Sequence, residues 1–163
     1  MLPTLCRVMI ATICCVSTVY ALGPEMIGKP APAFTLRTVD GRSALSLADT
    51  RGQVVIIDFW ASWCAPCQRS LPRLAALEAG KSGIRILAIN IDDDRANALE
   101  FLKRNRVKLT SLYDETKKVV DGYDVPEMPS ALIIDRKGVV RFVHPGYAER
   151  DIEIMKKEVE GLL

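Results

Sequence analysis

Histidine and cysteine are missing where a metal site would need them. Downstream of Cys67 the chain has no further cysteine, and its only histidine is His144. A structural zinc site takes four ligands, normally as two Cys or His pairs, so the pattern argues against a zinc module. A charge of one sign is lacking as well: 22 basic residues face 20 acidic ones, a formal net charge of +2. That balance provides no footprint for nucleic acid or an anionic surface. No internal repeat or low-complexity tract is present. What is there is ordinary for a globular protein, with 49% hydrophobic and 26% charged residues. A length of 163 residues suffices for one domain with its own core.

The N-terminus differs in kind. No charge falls between Arg7 and Glu25. The apolar run begins at Val8 and ends by Leu22, short of what a bilayer-spanning helix usually needs. A basic start, an apolar middle and small residues in Val19-Tyr20-Ala21 predict a signal peptide cleaved after Ala21, with an uncleaved anchor as the alternative. The expected organisation is a signal peptide or N-terminal membrane anchor over 1–21, a linker over 22–32 and a folded domain over 33–163. Gly23, Pro24, Gly28, Pro30 and Pro32 mark the linker as irregular. Cys6, Cys14 and Cys15 lie in the leader, so the mature domain keeps only Cys64 and Cys67. An exported domain with a single C-x-x-C keeps its cysteines for chemistry. A purely structural bridge there would close too small a loop to constrain the unfolded chain much.

Val54-Val55-Ile56-Ile57-Asp58-Phe59-Trp60-Ala61-Ser62-Trp63-Cys64-Ala65-Pro66-Cys67 is the stretch around which the chain is organised. Its β-branched start predicts a strand covered on both faces. A turn and a helix follow, with both cysteines expected on the first helical turn. Unpaired N–H groups and the helix dipole there stabilise an anion, so Cys64 is expected to be a nucleophile near neutral pH. Pro66 is tolerated in the first turn, and the spacing lets Cys67 reach back to Cys64.

Hydrophobic spacing predicts the rest. Ala33–Leu36 and Ser43–Leu45 form a hairpin around Asp40-Gly41-Arg42, and Leu47-Ala48-Asp49 a helical turn. A helix containing Pro72 runs from Cys67 to Gly80, a second buried strand covers Ile84–Ile91, and a helix extends from Ala96 to about Asn105. Asp92-Asp93-Asp94 reads as a helix cap facing water rather than a cation site. Leu109–Asp114 is expected to be a connecting stretch before a short helix, Glu115–Tyr123. Ala131–Ile134 and Val139–Val143 form a hairpin, and a last helix spans Glu149 to Leu162. His144, before Pro145-Gly146, is expected in a loop.

Three segments in order carry a resemblance. Asp58 through Cys67 resembles the thioredoxin-superfamily active site. Ile27-Gly28-Lys29-Pro30-Ala31-Pro32-Ala33-Phe34-Thr35-Leu36 resembles the lead-in of peroxiredoxins and TlpA/ResA-like extracytoplasmic thioredoxins. Val125-Pro126-Glu127-Met128-Pro129-Ser130-Ala131-Leu132-Ile133-Ile134-Asp135 is similar to the cis-proline loop and its strand. The resemblance covers Met26 to the C-terminus and implies an α/β thioredoxin fold: a central mixed sheet flanked by helices, with an N-terminal hairpin and an inserted helix.

The resemblance further implies that Cys64 attacks a substrate disulfide, Cys67 resolves the mixed disulfide and buried Asp58 moves the proton. Trp63 and the backbone of Met128, beside cis Pro129, would bind substrate, while Trp60 packs in the core. No metal and no cofactor beyond the Cys64–Cys67 disulfide are expected. Expected partners are disulfide-containing proteins and a membrane thiol donor, in an extracytoplasmic compartment such as the bacterial periplasm. Cytochrome c maturation is one pathway that would suit. Two departures bear on proton handling: many relatives carry an acid where Ser70 stands and Asn where Asp58 stands. A disulfide oxidase or isomerase, and a copper carrier of the same fold, are the alternative readings.

Overall fold

The computed structural model describes residues 22–163. The leader, with Cys6, Cys14 and Cys15, lies outside the described residues. Strand β3, Val54–Trp60, is buried at all seven positions. It lies between parallel β4, Ile84–Asn90, and antiparallel β6, Ser130–Ile134. With neighbours on both edges and helices or chain on both faces, its aliphatic side chains each contribute roughly 1.5–3 kcal/mol of burial. The sheet has seven strands in the order β2-β1-β5-β4-β3-β6-β7. The edge strands are β2, Ala44–Ser46, and β7, Val140–Pro145, while β1, Thr35–Thr38, and β5, Thr110–Tyr113, lie between β2 and β4.

Alternation along β3 divides the core in two. Val55, Ile57 and Phe59 point to the face that holds Tyr123 together with Leu22 and Met26 from the N-terminal segment. Val54 and Ile56 point to the other face, beneath α1, Cys67–Ala79, and α4, Asp151–Glu160. Trp60 packs there against Phe101 of α2, Arg95–Arg104, with ring centroids 5.0 Å apart. The segment 22–32 is irregular, as its glycines and prolines imply, yet it is packed. It makes a 3-10 turn at Pro24–Met26 and bridges Pro30 to Val139. Among the described residues no helix is long and apolar enough to cross a membrane.

Four expectations are corrected. The stretch expected to connect is a strand, β5, Thr110–Tyr113, parallel to β4. The helix after it, α3, is only Lys118–Gly122, because Lys117 takes a left-handed conformation, with φ of 60°, and starts the helix late. His144 lies not in a loop but in β7, opposite Ala131, and its Nε2 is 2.7 Å from Glu158 Oε2 of α4. The ladder extends that far because Pro145 sits on an edge strand, where no donor is required. The first helix begins at Cys67, so Cys64 belongs to the turn before it.

Candidate active site

The C-terminal end of β3 delivers its chain into a turn, Ala61–Pro66, from which α1 departs. Within that turn Cys64 N–H donates to the Ala61 carbonyl at 3.1 Å and Cys67 N–H to the Cys64 carbonyl at 3.1 Å. Cys64 and Cys67 form a disulfide with their Cα atoms 5.3 Å apart. The two sulfurs are not equivalent. Cys67 is wholly buried, whereas Cys64 keeps 3% of its surface. The Cys67 N–H, at the start of the helix, also lies 3.3 Å from Cys64 Sγ. A helix N-terminus thus presents a donor to the sulfur outside the helix, where a thiolate would need one.

Trp63, next to Cys64, is 67% exposed, while Trp60 is fully buried. The Met128–Pro129 peptide is cis. Met128 packs against the same cluster that holds Cys64, Cys67 and Leu71. Ser130 closes this turn by donating its hydroxyl to the Glu127 carbonyl at 2.8 Å. The structure therefore places the two cysteines and Met128 in one neighbourhood at one end of the sheet.

Asp58 lies further down β3, on the face beneath α1. Its cross-strand neighbours are Ala88 and Ala131, methyl groups that supply neither a donor nor a charge. Ala88 belongs to the cluster around Cys67. Asp58 Oδ2 has no hydrogen-bond partner, and burial pushes the carboxyl well above its ordinary value of 3.8. The Ser70 hydroxyl, one turn along α1 from Cys67, is buried and likewise lacks a partner.

Sequence reasoning missed Asp92. Of the three consecutive acids, Asp94 caps α2 by accepting from Ala96 N–H at 2.8 Å, and Asp93 is open to solvent. Asp92 is instead 1% exposed, with its carboxylate on Ser62. No motif marks that difference, since only the register at the end of β4 decides which acid turns inward.

A thioredoxin-type sheet with a C-x-x-C bridge at the start of its first helix defines a thiol–disulfide oxidoreductase. More particularly, residues 27–143 match the AhpC/TSA family, and the chain belongs to it. It is 31% identical over 138 residues to thiol-disulfide oxidoreductase ResA of Geobacillus thermodenitrificans, covering 83% of this chain and 78% of that protein. Thiol:disulfide interchange protein DsbE of Pseudomonas fluorescens biotype C is 39% identical over 127 residues, 77% of this chain and 70% of the relative. A crystal structure from Chlorobium tepidum, assigned as a thiol:disulfide interchange protein DsbE, superposes with a TM-score of 0.79 at 33% identity. That match covers 83% of this chain and 96% of the other. The enzyme is thus of the ResA/DsbE type.

Proposed function

We propose that the protein is exported and reduces disulfides in extracytoplasmic proteins, with Cys64 as the attacking thiolate. The observation that carries this reading is the asymmetry of the pair: the Cys67 N–H faces Cys64 Sγ, and only Cys64 retains exposure. In the reduced enzyme the Cys64 thiolate attacks one sulfur of a substrate disulfide, and the other substrate sulfur leaves as a thiolate and takes a proton. Asp58 accepts the Cys67 proton, and Cys67 attacks Cys64 Sγ. The second substrate sulfur departs, so the substrate gains two electrons and the enzyme ends as the Cys64–Cys67 disulfide. A thiol donor, taken to be a membrane protein, returns the electrons. No further cofactor is needed, because the disulfide is itself the redox group. The leader pattern at 1–21 supports export.

Ala65-Pro66 between the cysteines, with no histidine there to stabilise the thiolate strongly, favours a reductant over an oxidant. Titration against glutathione or dithiothreitol is expected to give a midpoint on the reducing side of about −200 mV. A clearly higher potential would reassign the protein as an oxidase or isomerase. A copper carrier of the same fold would place three residues between its cysteines and add a nearby histidine, whereas Cys64 and Cys67 are separated by two.

Trp63 serves as the apolar contact for substrate in this reading, with the Met128 backbone pairing with an extended substrate segment. Exposed aromatic anchors at interfaces carry about 2 kcal/mol or more. Trp63→Ala is therefore expected to lower kcat/KM for protein disulfides by tenfold or more, on the order of that energy. Alkylation of Cys64 by a small reagent should stay unchanged, and steady-state kinetics beside alkylation kinetics separates the two.

A further inference from the structure

The turn that carries Cys64 has little to hold it from within. Cys64 N–H to Ala61 O is its bond across residues 61–64. The rest of the hold comes from another strand. Ser62 N–H donates to both oxygens of Asp92, at 3.0 and 3.1 Å, and Ser62 Oγ donates to Oδ1 at 2.9 Å. Asn90, the last residue of β4, fixes the carboxylate in turn. Its Nδ2 donates to Asp92 Oδ2 at 2.8 Å, while its Oδ1 accepts from Asp92 N–H at 3.1 Å. Lys117 Nζ holds the same residue from the β5 side, donating to the Asp92 carbonyl at 2.6 Å. Ile91 N–H bonds Trp60 O at 3.0 Å, so the two chains stay in register up to the point where the grip begins.

The energetics make the arrangement informative. Asn90 is wholly buried and Asp92 nearly so, and the hydrogen bonds to the carboxylate come from neutral donors. Burying an anion without a cation on it is costly. In return, a carboxylate makes shorter and stronger hydrogen bonds than a neutral acceptor does. Three of the four hydrogen bonds that the carboxylate accepts come from Ser62, two residues before the attacking sulfur and one before the exposed Trp63.

We propose that Asp92 is the positioning residue of the redox turn, gripping Ser62 so that Cys64 is held against the N-terminus of α1 and Trp63 is turned outward. Asp92 touches neither sulfur; it acts through Ser62. The inference deepens the dithiol reading above and is tested on the reduced full-length protein. The readout is the rate of Cys64 alkylation by iodoacetamide at pH 7, with thermal melts alongside.

Asp92→Ala is expected to slow alkylation about tenfold, equivalent to about 1.4 kcal/mol, which is the scale of one hydrogen bond to a charged group. Asp92→Asn keeps an acceptor for Ser62 and is expected within about threefold of the wild type. Ser62→Ala removes a single bond, so a loss of about twofold is expected, and it serves if Asp92→Ala fails to fold. Met155→Ala opens the core under α4, away from the turn, and controls for lost stability. Two results would overturn the proposal. One is Asp92→Ala reacting as fast as the wild type or faster, since loss of a nearby anion alone favours the thiolate. The other is Met155→Ala slowing the reaction as much at a matched melting temperature. Wild-type protein that fails to exchange with glutathione would sink the oxidoreductase cycle, whereas the alkylation series reads the position of Cys64 in either case.

Discussion

Replacing Cys67 by serine converts the enzyme from a catalyst into a trap. Turnover of disulfide substrates falls on the order of 10³-fold or more, as it does when a covalent enzyme loses a reacting group. Meanwhile a mixed disulfide through Cys64 accumulates. The reason is the geometry of the pair. Cys67 is sealed beneath the turn and can reach only Cys64, so without it nothing nearby completes the exchange. Cys64→Ser should abolish both turnover and trapping, because the buried Cys67 cannot meet a protein disulfide. Non-reducing electrophoresis of Cys67→Ser protein from its native compartment, followed by mass spectrometry of the adduct, checks both points. Capture of a membrane thiol donor or a cytochrome maturation component would confirm the reductase reading and supply its pathway. No captured protein, with Cys64 still open to alkylation, would remove protein disulfides as the substrate and bring copper forward.

How far the chain could be read in advance follows from where its information lies. Strand β3 was legible because a run of β-branched residues has few other uses, and the cysteine spacing with Pro129 is local chemistry. Strand β5 was not. Thr110-Ser111-Leu112-Tyr113 neither alternates nor runs apolar, and Ser111 is buried because its hydroxyl donates to the Ala88 carbonyl at 3.2 Å on the neighbouring strand. That partner is 23 residues away, and no window of sequence contains the pairing. Asp92 failed to show for a related reason. A run of three acids suggests solvent, and the first of them turns inward onto Ser62, 30 residues earlier in the chain. Lys117, in its left-handed conformation, shortened α3 through a backbone choice that helical spacing does not report.

Asp58→Asn separates the two contributions of that buried carboxyl through pH. Burial raises the folded-state pKa of Asp58 above its ordinary value of 3.8, and its Oδ2 accepts no hydrogen bond that would oppose the shift. The folded chain therefore holds this proton more tightly than the unfolded chain does. The stability that this supplies is fully present below the unfolded value and is lost as pH rises through the folded one. Asparagine is neutral throughout. The variant should melt close to the wild type near pH 3.5 and above it at pH 8. The difference at pH 8 is expected to be at least about 1 kcal/mol, the cost of an unsatisfied buried polar group, or roughly 3 °C in a domain of this size. A gain of equal size at both pH values would show that burial of charge is not its source. The rate should move the other way. Asparagine cannot accept the Cys67 proton, so the resolving step slows by about a hundredfold near neutral pH, at the lower end of general base catalysis. It should recover in alkaline solution, where Cys67 ionises without help. A variant that is more stable and slower at pH 8 than the wild type, with both differences dependent on pH, is the signature of a carboxyl retained for proton transfer at the expense of the fold.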